Sequence, residues 1–298
     1  MFLYPRHSPP LVAGEEASAA IREIYVDIAA SLRSTWTPDV FKALAVWPAL
    51  LQEAWRQLAP NVRTRFFEES ADRLRLKAAE TAAPLLRSDF FSAALGKPRL
   101  APEARALIAG YHYVCPKTLL AIATLRRALR AEGFGLAPTA WEELVEIPSA
   151  PPEGMPPLDP PAAEDMAPAA RVVLRDVRRT LEGPPPPLLQ SLGRWPDLLE
   201  ETWDVLGTAR GHELYGTRLA DLLELAERQA AHLPYVVDLR PEKMIGMGYS
   251  PSEVAAAVAY FESSSGEAVL LTAALQVVVR GRAAAMASPY PVPEEKLS

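Results

Sequence analysis

Apolar side chains recur at three- and four-residue intervals along most of this chain, which is the spacing of one face of an α-helix. The same spacing occurs near the N-terminus and again at residues 219–225. No run alternates apolar and polar positions as a half-buried strand does. The pattern therefore predicts an all-α fold. The N-terminal example consists of Ile21, Ile24, Tyr25, Ile28 and Leu32.

Prolines mark several of the predicted helix starts, because a proline at the first helical position costs no backbone hydrogen bond. Ser250 followed by Glu253 adds a capping box at one of them. Prolines that we interpret in this way follow Thr37, Ala59, Ala101, Ala137 and Ser250.

The most apolar run, residues 268–279, is shorter than the roughly twenty residues of a membrane-spanning helix. We therefore expect a buried core helix there and no membrane partner. The N-terminus is interrupted by Pro5, Pro9 and Pro10, so it does not resemble an export signal. A cytoplasmic protein is the expectation.

A sixteen-residue sequence occurs twice, at 43–58 and at 191–206, with an offset of 148. Eight of the sixteen positions are identical, and a weaker match continues on both sides. The chain is thus predicted to contain two copies of one helical unit, each with a sharp bend at a Trp-Pro dipeptide. The pairs that we expect to be buried in equivalent environments are Trp47 with Trp195 and Trp55 with Trp203.

A proline-rich segment separates the two copies. Residues 148–168 hold eight prolines in twenty-one positions, which favours an extended, semi-rigid linker. The predicted organisation is an extended arm at 1–14, a first helical repeat at 15–147, the linker at 148–168, a second helical repeat at 169–292 and a tail at 293–298.

Composition excludes several classes of site. The net charge is −6, and the arginines of residues 56–77 are interleaved with acids, so we expect no nucleic-acid partner. The single cysteine, Cys115, rules out an internal disulfide and a Cys-x-x-Cys pair. The four histidines have no metal-ligand spacing, so neither a metal nor a cofactor is expected. The sequence does not decide between a monomer and a homodimer.

Several features together resemble one known family. They are the doubled Trp-Pro unit, the proline-rich crossover, the segment LIAGYHYVCPKTLLAIATL at 107–125 and the closing SPYP at 288–291. The chain resembles the group I 2-haloacid dehalogenases, the DehI family, over roughly residues 15–292. The resemblance implies an all-α fold of two pseudo-symmetric halves, with a small haloacid bound in a channel between them. It also implies hydrolysis without a cofactor, by direct attack of an activated water.

The resemblance fails at the two positions that activate and hold the water. Where the family has a catalytic aspartate this chain has Leu188, and where the family has an asparagine it has Cys115. Leucine can neither accept a proton nor orient water, and a general base contributes about 10²–10⁴ in rate. Residues 183–196 contain no acid that could substitute through a shift in alignment.

Asp39 and His112 are candidate replacement bases, each with a structural alternative. Asp39 follows Pro38, where an acid also stabilises a helix N-terminus, and His112 could equally be a hydrogen-bonded core residue. Cys115 could act as a nucleophile if Lys117 or His112 stabilised its thiolate, or it could be buried and inert. The substrate-binding residues expected from the resemblance and its neighbourhood are Trp36, Tyr111, Tyr113, Cys115, Leu188 and Tyr260.

Two functional hypotheses remain. One is binding, or slow hydrolysis, of a small organic acid such as a 2-haloacid at an altered site. The other is a non-catalytic helical interaction or scaffold protein. An open channel with converging polar groups would favour the first hypothesis, and a channel filled by its own side chains would favour the second.

Overall fold

The structure is a computed structural model, and it describes residues 8–86, 100–134, 144–181 and 184–292. These residues form twelve α-helices and no β-strand, apart from one isolated bridge between Thr64 and Glu146. The predicted all-α fold is confirmed. The helices are α1 (Ala19–Ser31), α2 (Asp39–Leu44), α3 (Pro48–Val62), α4 (Arg65–Ala82), α5 (Pro102–Leu129), α6 (Pro168–Leu181), α7 (Pro187–Leu192), α8 (Pro196–Arg210), α9 (Tyr215–His232), α10 (Pro241–Gly246), α11 (Pro251–Arg280) and α12 (Arg282–Met286).

Helices of matching length follow one another in the same order in the two parts of the chain. The short helices α2 and α7 have 6 residues each, α3 and α8 have 15 each, and α4 and α9 have 18 each. The long helices α5 and α11 complete the two series with 28 and 30 residues. The bend before α3 and the bend before α8 have similar backbone angles, with φ of −117° at Trp47 and −129° at Trp195.

One side-chain hydrogen bond also occurs in both series. Trp55 Nε1 donates to Asp27 Oδ2 at 2.7 Å, and Trp203 Nε1 donates to Asp176 Oδ2 at 2.9 Å. Each bond fastens the helix that directly follows the Trp-Pro bend to the first helix of its series. The expectation that all four repeated tryptophans are buried was wrong, since only Trp55 is buried and the other three are half-buried.

Most of the proline interpretations agree with the structure. Pro102 and Pro251 begin α5 and α11, and Ser250 Oγ accepts the Glu253 N–H at 3.4 Å as the N-cap. Pro60 is an exception, because it lies in the last turn of α3 and starts no helix. The start expected after Ala137 lies outside the described residues.

The two longest helices form the centre of the molecule, where α5 and α11 have the most extensive contact of any pair in the described chain. Helix α5 is long and apolar enough to cross a membrane, but 94 % of its most apolar window is buried inside the protein. It passes through Pro116 without a break, although a proline inside a helix removes one backbone hydrogen bond. The apolar run at 268–278 is buried within α11, as expected.

The proline-rich linker is fastened between the two parts of the chain. Leu158 is fully buried, and its carbonyl accepts hydrogen bonds from Tyr111 of α5 and from Ser191 of α7. Its side chain lies so close to Gly110 that a Cβ atom there would approach Leu158 Cδ2 to 2.7 Å. Glycine at this position lets the linker cross directly over α5.

Candidate functional site

A cavity lies between α2, α5, α11 and the proline segment that precedes α7. Its empty volume is about 480 Å³ when the solvent at its open mouth is counted. Apolar side chains make most of its wall, and carboxylate, thiol and hydroxyl groups converge on it. The polar and sulfur-bearing side chains of the wall belong to Asp39, Cys115, Thr118, Ser264 and Ser265.

Asp39 contributes the carboxylate of this wall, and no other acid lines the cavity within the described residues. It occupies the first turn of α2, where it also complements the helix dipole. Lys42, one turn along the same helix, lies with its Nζ 3.1 Å from Asp39 Oδ1 and 5.9 Å from the centroid of the Trp36 ring. A carboxylate and a cation therefore stand side by side next to the cavity.

Trp36 lines the cavity, as predicted for a substrate-binding residue. The residue is 3 % exposed, and in the described part of the chain its Nε1–H finds no hydrogen-bond acceptor. Tyr111 stands behind it, with the two ring centroids 6.0 Å apart in an edge-to-face arrangement. The Tyr111 hydroxyl is held by Leu158 and Ser191, so this tyrosine supports the wall and is not among the lining residues.

Cys115 also lines the cavity, but its surroundings do not favour a thiolate. Burial in apolar surroundings raises the pKa of the Cys115 thiol to about 12. Lys117 lies two residues further along α5, about 200° round the helix, where its Nζ contacts Glu68 and the Leu32 carbonyl. His112 is bound elsewhere, to the Ala285 carbonyl. Neither residue is placed to activate the sulfur.

Leu188 is buried in α7 and does not belong to the lining residues. The chain reaches the cavity where this helix begins, and Pro184, Pro185, Pro186 and Pro187 form one wall. The segment is extended, and its prolines donate no backbone hydrogen bond, so it presents rings and carbonyl groups.

Tyr113 lies on the other face of α5, away from the cavity. Lys117 Nζ is 3.6 Å from the centroid of its ring, and the Tyr290 ring is 5.3 Å away. Glu68 pairs with Lys117 at 2.7 Å and with Arg33 at 3.7 Å, all with little exposure. Burial lowers the pKa of Lys117 to about 8, an effect that the carboxylate of Glu68 partly opposes. No local sequence pattern reveals this buried ion cluster, because Glu68 is 35 positions from Arg33 and 49 positions from Lys117 in the chain.

His112 is buried and forms one of the hydrogen bonds that hold the C-terminal segment in place. Its Nε2 lies 2.8 Å from the Ala285 carbonyl, and Arg75 Nη1 donates to the same oxygen at 2.8 Å. Burial lowers the pKa of His112 to about 4, although the bond to Ala285 opposes the shift. The histidine does not line the cavity, and its position agrees with the structural alternative.

Helix α11 contributes hydroxyls to the cavity through Ser264 and Ser265. Tyr260, predicted to bind substrate, packs edge-to-face on Phe261 and is not a lining residue, whereas Phe261 is one. Gly266 sits inside the unbroken helix, where a Cβ atom would approach Leu223 Cδ2 to 2.7 Å. It therefore serves close packing against α9.

Thr118 and Ile122 of α5 were missed as lining residues, although they follow Cys115 at intervals of three and four positions. Helical periodicity from Cys115 would have found both. Among the described residues, no group of three or more histidine, cysteine, aspartate or glutamate side chains could hold a metal ion.

Comparisons with known proteins agree on one family. The family model described as halocarboxylic acid dehydrogenase DehI matches residues 35–185, which is half of the chain. A configuration-inverting 2-haloacid dehalogenase of Alcaligenes xylosoxydans xylosoxydans is 26 % identical over 294 residues, covering 95 % of this chain and 98 % of the relative. An (R)-2-haloacid dehalogenase of Pseudomonas putida is 26 % identical over 65 % of this chain and 66 % of its own length.

Solved structures support the fold. A D-2-haloacid dehalogenase mutant in complex with D-2-CPA superposes with a TM-score of 0.81 at 21 % identity, covering 91 % of this chain and 95 % of that one. A D-2-haloacid dehalogenase complex with L-LA has a TM-score of 0.80 at 20 % identity, covering 92 % and 96 %. Together with the match of the family model, these similarities establish that the chain belongs to the DehI family.

Proposed function

We propose that this protein binds small 2-halocarboxylic acids in the cavity and hydrolyses them slowly, with Asp39 as the general base. The observation that carries the proposal is the cavity itself, which is open and has one carboxylate in its wall. The polar groups that converge on this cavity favour this function over that of a non-catalytic scaffold.

The proposed step needs no cofactor. A water oxygen attacks the carbon that bears the halogen, the carbon–halogen bond breaks, the halide leaves and Asp39 takes the proton of the water. Direct attack inverts the configuration of that carbon. The cation of Lys42 reduces the repulsion between the Asp39 carboxylate and the carboxylate of the substrate.

Turnover should be slow for a geometric reason. Asp39 stands in the first turn of α2 and is held by Lys42, and this chain has Leu188 and Cys115 at the positions where the family resemblance implies an aspartate and an asparagine. A base that is imperfectly placed, with no amide to orient the water, forfeits part of the roughly 10²–10⁴ that general-base catalysis contributes.

The test is halide release from each enantiomer of 2-chloropropionate, measured on the parent protein and on Asp39→Asn. We expect slow release that falls at least tenfold in the variant. Asp197→Asn is the matched control, because Asp197 also stands in the first turn of a helix but does not line the cavity. Equal rates for the parent and Asp39→Asn would overturn the role of Asp39. No release and no binding of either enantiomer would favour the scaffold hypothesis.

A further inference from the structure

Two surface grooves of similar size lie at equivalent places in the two parts of the chain. The first runs along α1 and the second along α6, and their volumes are about 1160 Å³ and 1210 Å³ when the open solvent above them is counted. Their lining positions correspond at the offset of 149 that the repeat has in this region. The corresponding pairs are Arg22 with Arg171, Tyr25 with Leu174, Val26 with Arg175 and Ala29 with Arg178.

The two grooves differ in charge. The α1 groove is balanced, since Arg22 and Lys42 are matched by Glu15 and Asp159. Within the described residues, the α6 groove is lined by three arginines and by no acid. In a chain with a net charge of −6, this is a local excess of positive charge. The excess arises where the second copy carries arginine in place of the valine and alanine of the first.

The three arginines of the α6 groove are exposed and available to a ligand. Among the described residues, none of Arg171, Arg175 and Arg178 has an ion-pair partner, whereas Arg179 on the same helix pairs with Asp176. Arg175 uses its Nε to bond the Arg171 carbonyl at 3.3 Å, which leaves its terminal nitrogens unused. The three side chains span about 10 Å along one face of α6.

The rest of the α6 groove is apolar. Val172 is 55 % exposed in its wall, and Met166, Leu174 and Pro185 contribute further apolar surface. A guanidinium group matches the geometry of a carboxylate with two parallel hydrogen bonds. A purely polar anion would leave the apolar wall unused, and a neutral apolar molecule would leave the arginines unused.

We propose that the α6 groove is a binding site for organic carboxylates that carry an apolar body of several carbons. The carboxylate contacts the arginines and the apolar body lies on the wall formed by Val172, Leu174 and the prolines. Pro185 lines both this groove and the cavity, so the two sites share a wall. They differ in their charged groups, which are arginines in the groove and the carboxylate of Asp39 in the cavity. Binding here does not depend on hydrolysis in the cavity.

The test is a ligand-observed NMR titration with octanoate, with acetate and octylammonium as reference ligands. We expect saturable binding of one octanoate, and binding at least tenfold weaker for acetate, which lacks the apolar body, and for octylammonium, which has the opposite charge. Raising the salt concentration from 0.05 to 0.5 M should weaken octanoate binding severalfold, because the site is exposed.

The matched variant is Arg175→Val combined with Arg178→Ala, which places the residues of the α1 groove in the α6 groove. These residues already occupy helical positions in the first copy, so the variant should fold, and thermal unfolding checks this. We expect octanoate to bind at least tenfold more weakly. Arg179→Ala, on the same helix but outside the groove, should bind octanoate like the parent, and so should the cavity variant Asp39→Asn.

Unchanged octanoate binding in the double variant would overturn the proposal. Equal binding of octylammonium and octanoate would also overturn it. The same holds if an acidic peptide binds through these arginines and octanoate does not bind. Halide release from 2-chloropropionate should be the same in the double variant and in the parent. The proposed carboxylate site and the proposed hydrolysis can therefore be refuted independently of each other.

Discussion

His112 ties the stability of the protein to pH, because the neutral imidazole is buried against the Ala285 carbonyl. Its pKa is about 4 in the folded protein and near the ordinary 6.5 when unfolded. The unfolded chain therefore binds a proton first as the pH falls. The stabilisation is complete above pH 6.5 and is lost progressively toward pH 4, by up to about 3 kcal/mol.

His112→Gln tests this dependence, since glutamine can still donate to the carbonyl but does not titrate. We expect denaturant unfolding between pH 7 and pH 4.5 to have a shallower pH dependence in the variant than in the parent. His232→Gln, at a half-buried histidine that ends α9, is the control and should retain the slope of the parent. If the free energy of unfolding changes with pH in the same way in the parent and in His112→Gln, the pH dependence cannot be assigned to His112.

Cys115 should be chemically inert in the folded state, because its burial raises the pKa of the thiol to about 12 and a thiol reacts as its thiolate. We expect a colorimetric thiol reagent at pH 8 to modify less than about a tenth of the native protein in the time that modifies all of the denatured protein. Rapid labelling of native protein would return the nucleophile hypothesis to consideration.

Leu188→Asp combined with Cys115→Asn would restore the residue types that the family resemblance implies at these two positions. Leu188 is buried beside the proline wall, so an unpaired carboxylate there should cost about 1–3 kcal/mol or more, and folding must be verified first. We expect the folded double variant to release halide faster than the parent, and Leu188→Asp alone to gain less. A folded double variant with no gain over several 2-haloacids would mean that the cavity itself has diverged.

Sequence reasoning placed some residues of the cavity and misplaced others, for reasons of helix geometry. Trp36, Asp39 and Cys115 lie in its wall. Tyr113 was predicted to bind substrate and lies outside this wall, because neighbours in sequence point in different directions on a helix, about 100° apart per residue. Pairings across large sequence separations, such as that of Glu68 with Lys117, leave no local pattern from which they could be predicted.

Among the helices, the hydrogen bond from tryptophan to aspartate is the feature that both series share in atomic detail. Trp55→Phe and Trp203→Phe each remove one such bond to a partly exposed carboxylate, so each should lower the free energy of unfolding by about 0.5–1.5 kcal/mol. Urea denaturation measures the free energy of unfolding of both variants and of the parent. Asp27→Asn keeps an oxygen acceptor for Trp55 but removes the charge that pairs with Arg63, so it measures the contribution of that ion pair separately. A loss of stability in only one of the two tryptophan variants would argue against equivalent environments of Trp55 and Trp203.

Helix types were predictable, and some helix boundaries were not. The Trp-Pro bends follow from local sterics, because a residue before proline avoids the helical conformation. Pro116 lies in the interior of α5, where the same rule suggested a break, and the helix continues. Burial along nearly its whole length holds α5 together, so tertiary packing outweighs the cost of a missing hydrogen bond.

The molecule as a whole should unfold as one unit, because a single core contains residues from both series and Leu158 bonds to both. A protease site inserted after Ala150, in the exposed part of the linker, tests this. We expect the cleaved chain to elute as one complex and to show one thermal transition. The uncleaved insertion variant is the control, and separation of the two fragments would contradict the shared core.

The unequal grooves have a consequence for how such a molecule can change. In a homodimer one gene encodes both surfaces, so a mutation alters the two equivalent places together. Here both copies of the helical unit are carried in one chain, and each can be substituted alone. Val26 and Ala29 stand on one side, and Arg175 and Arg178 stand at the equivalent places on the other. A pseudo-symmetric scaffold of this kind can acquire a new ligand on one half without disturbing the same surface on the other.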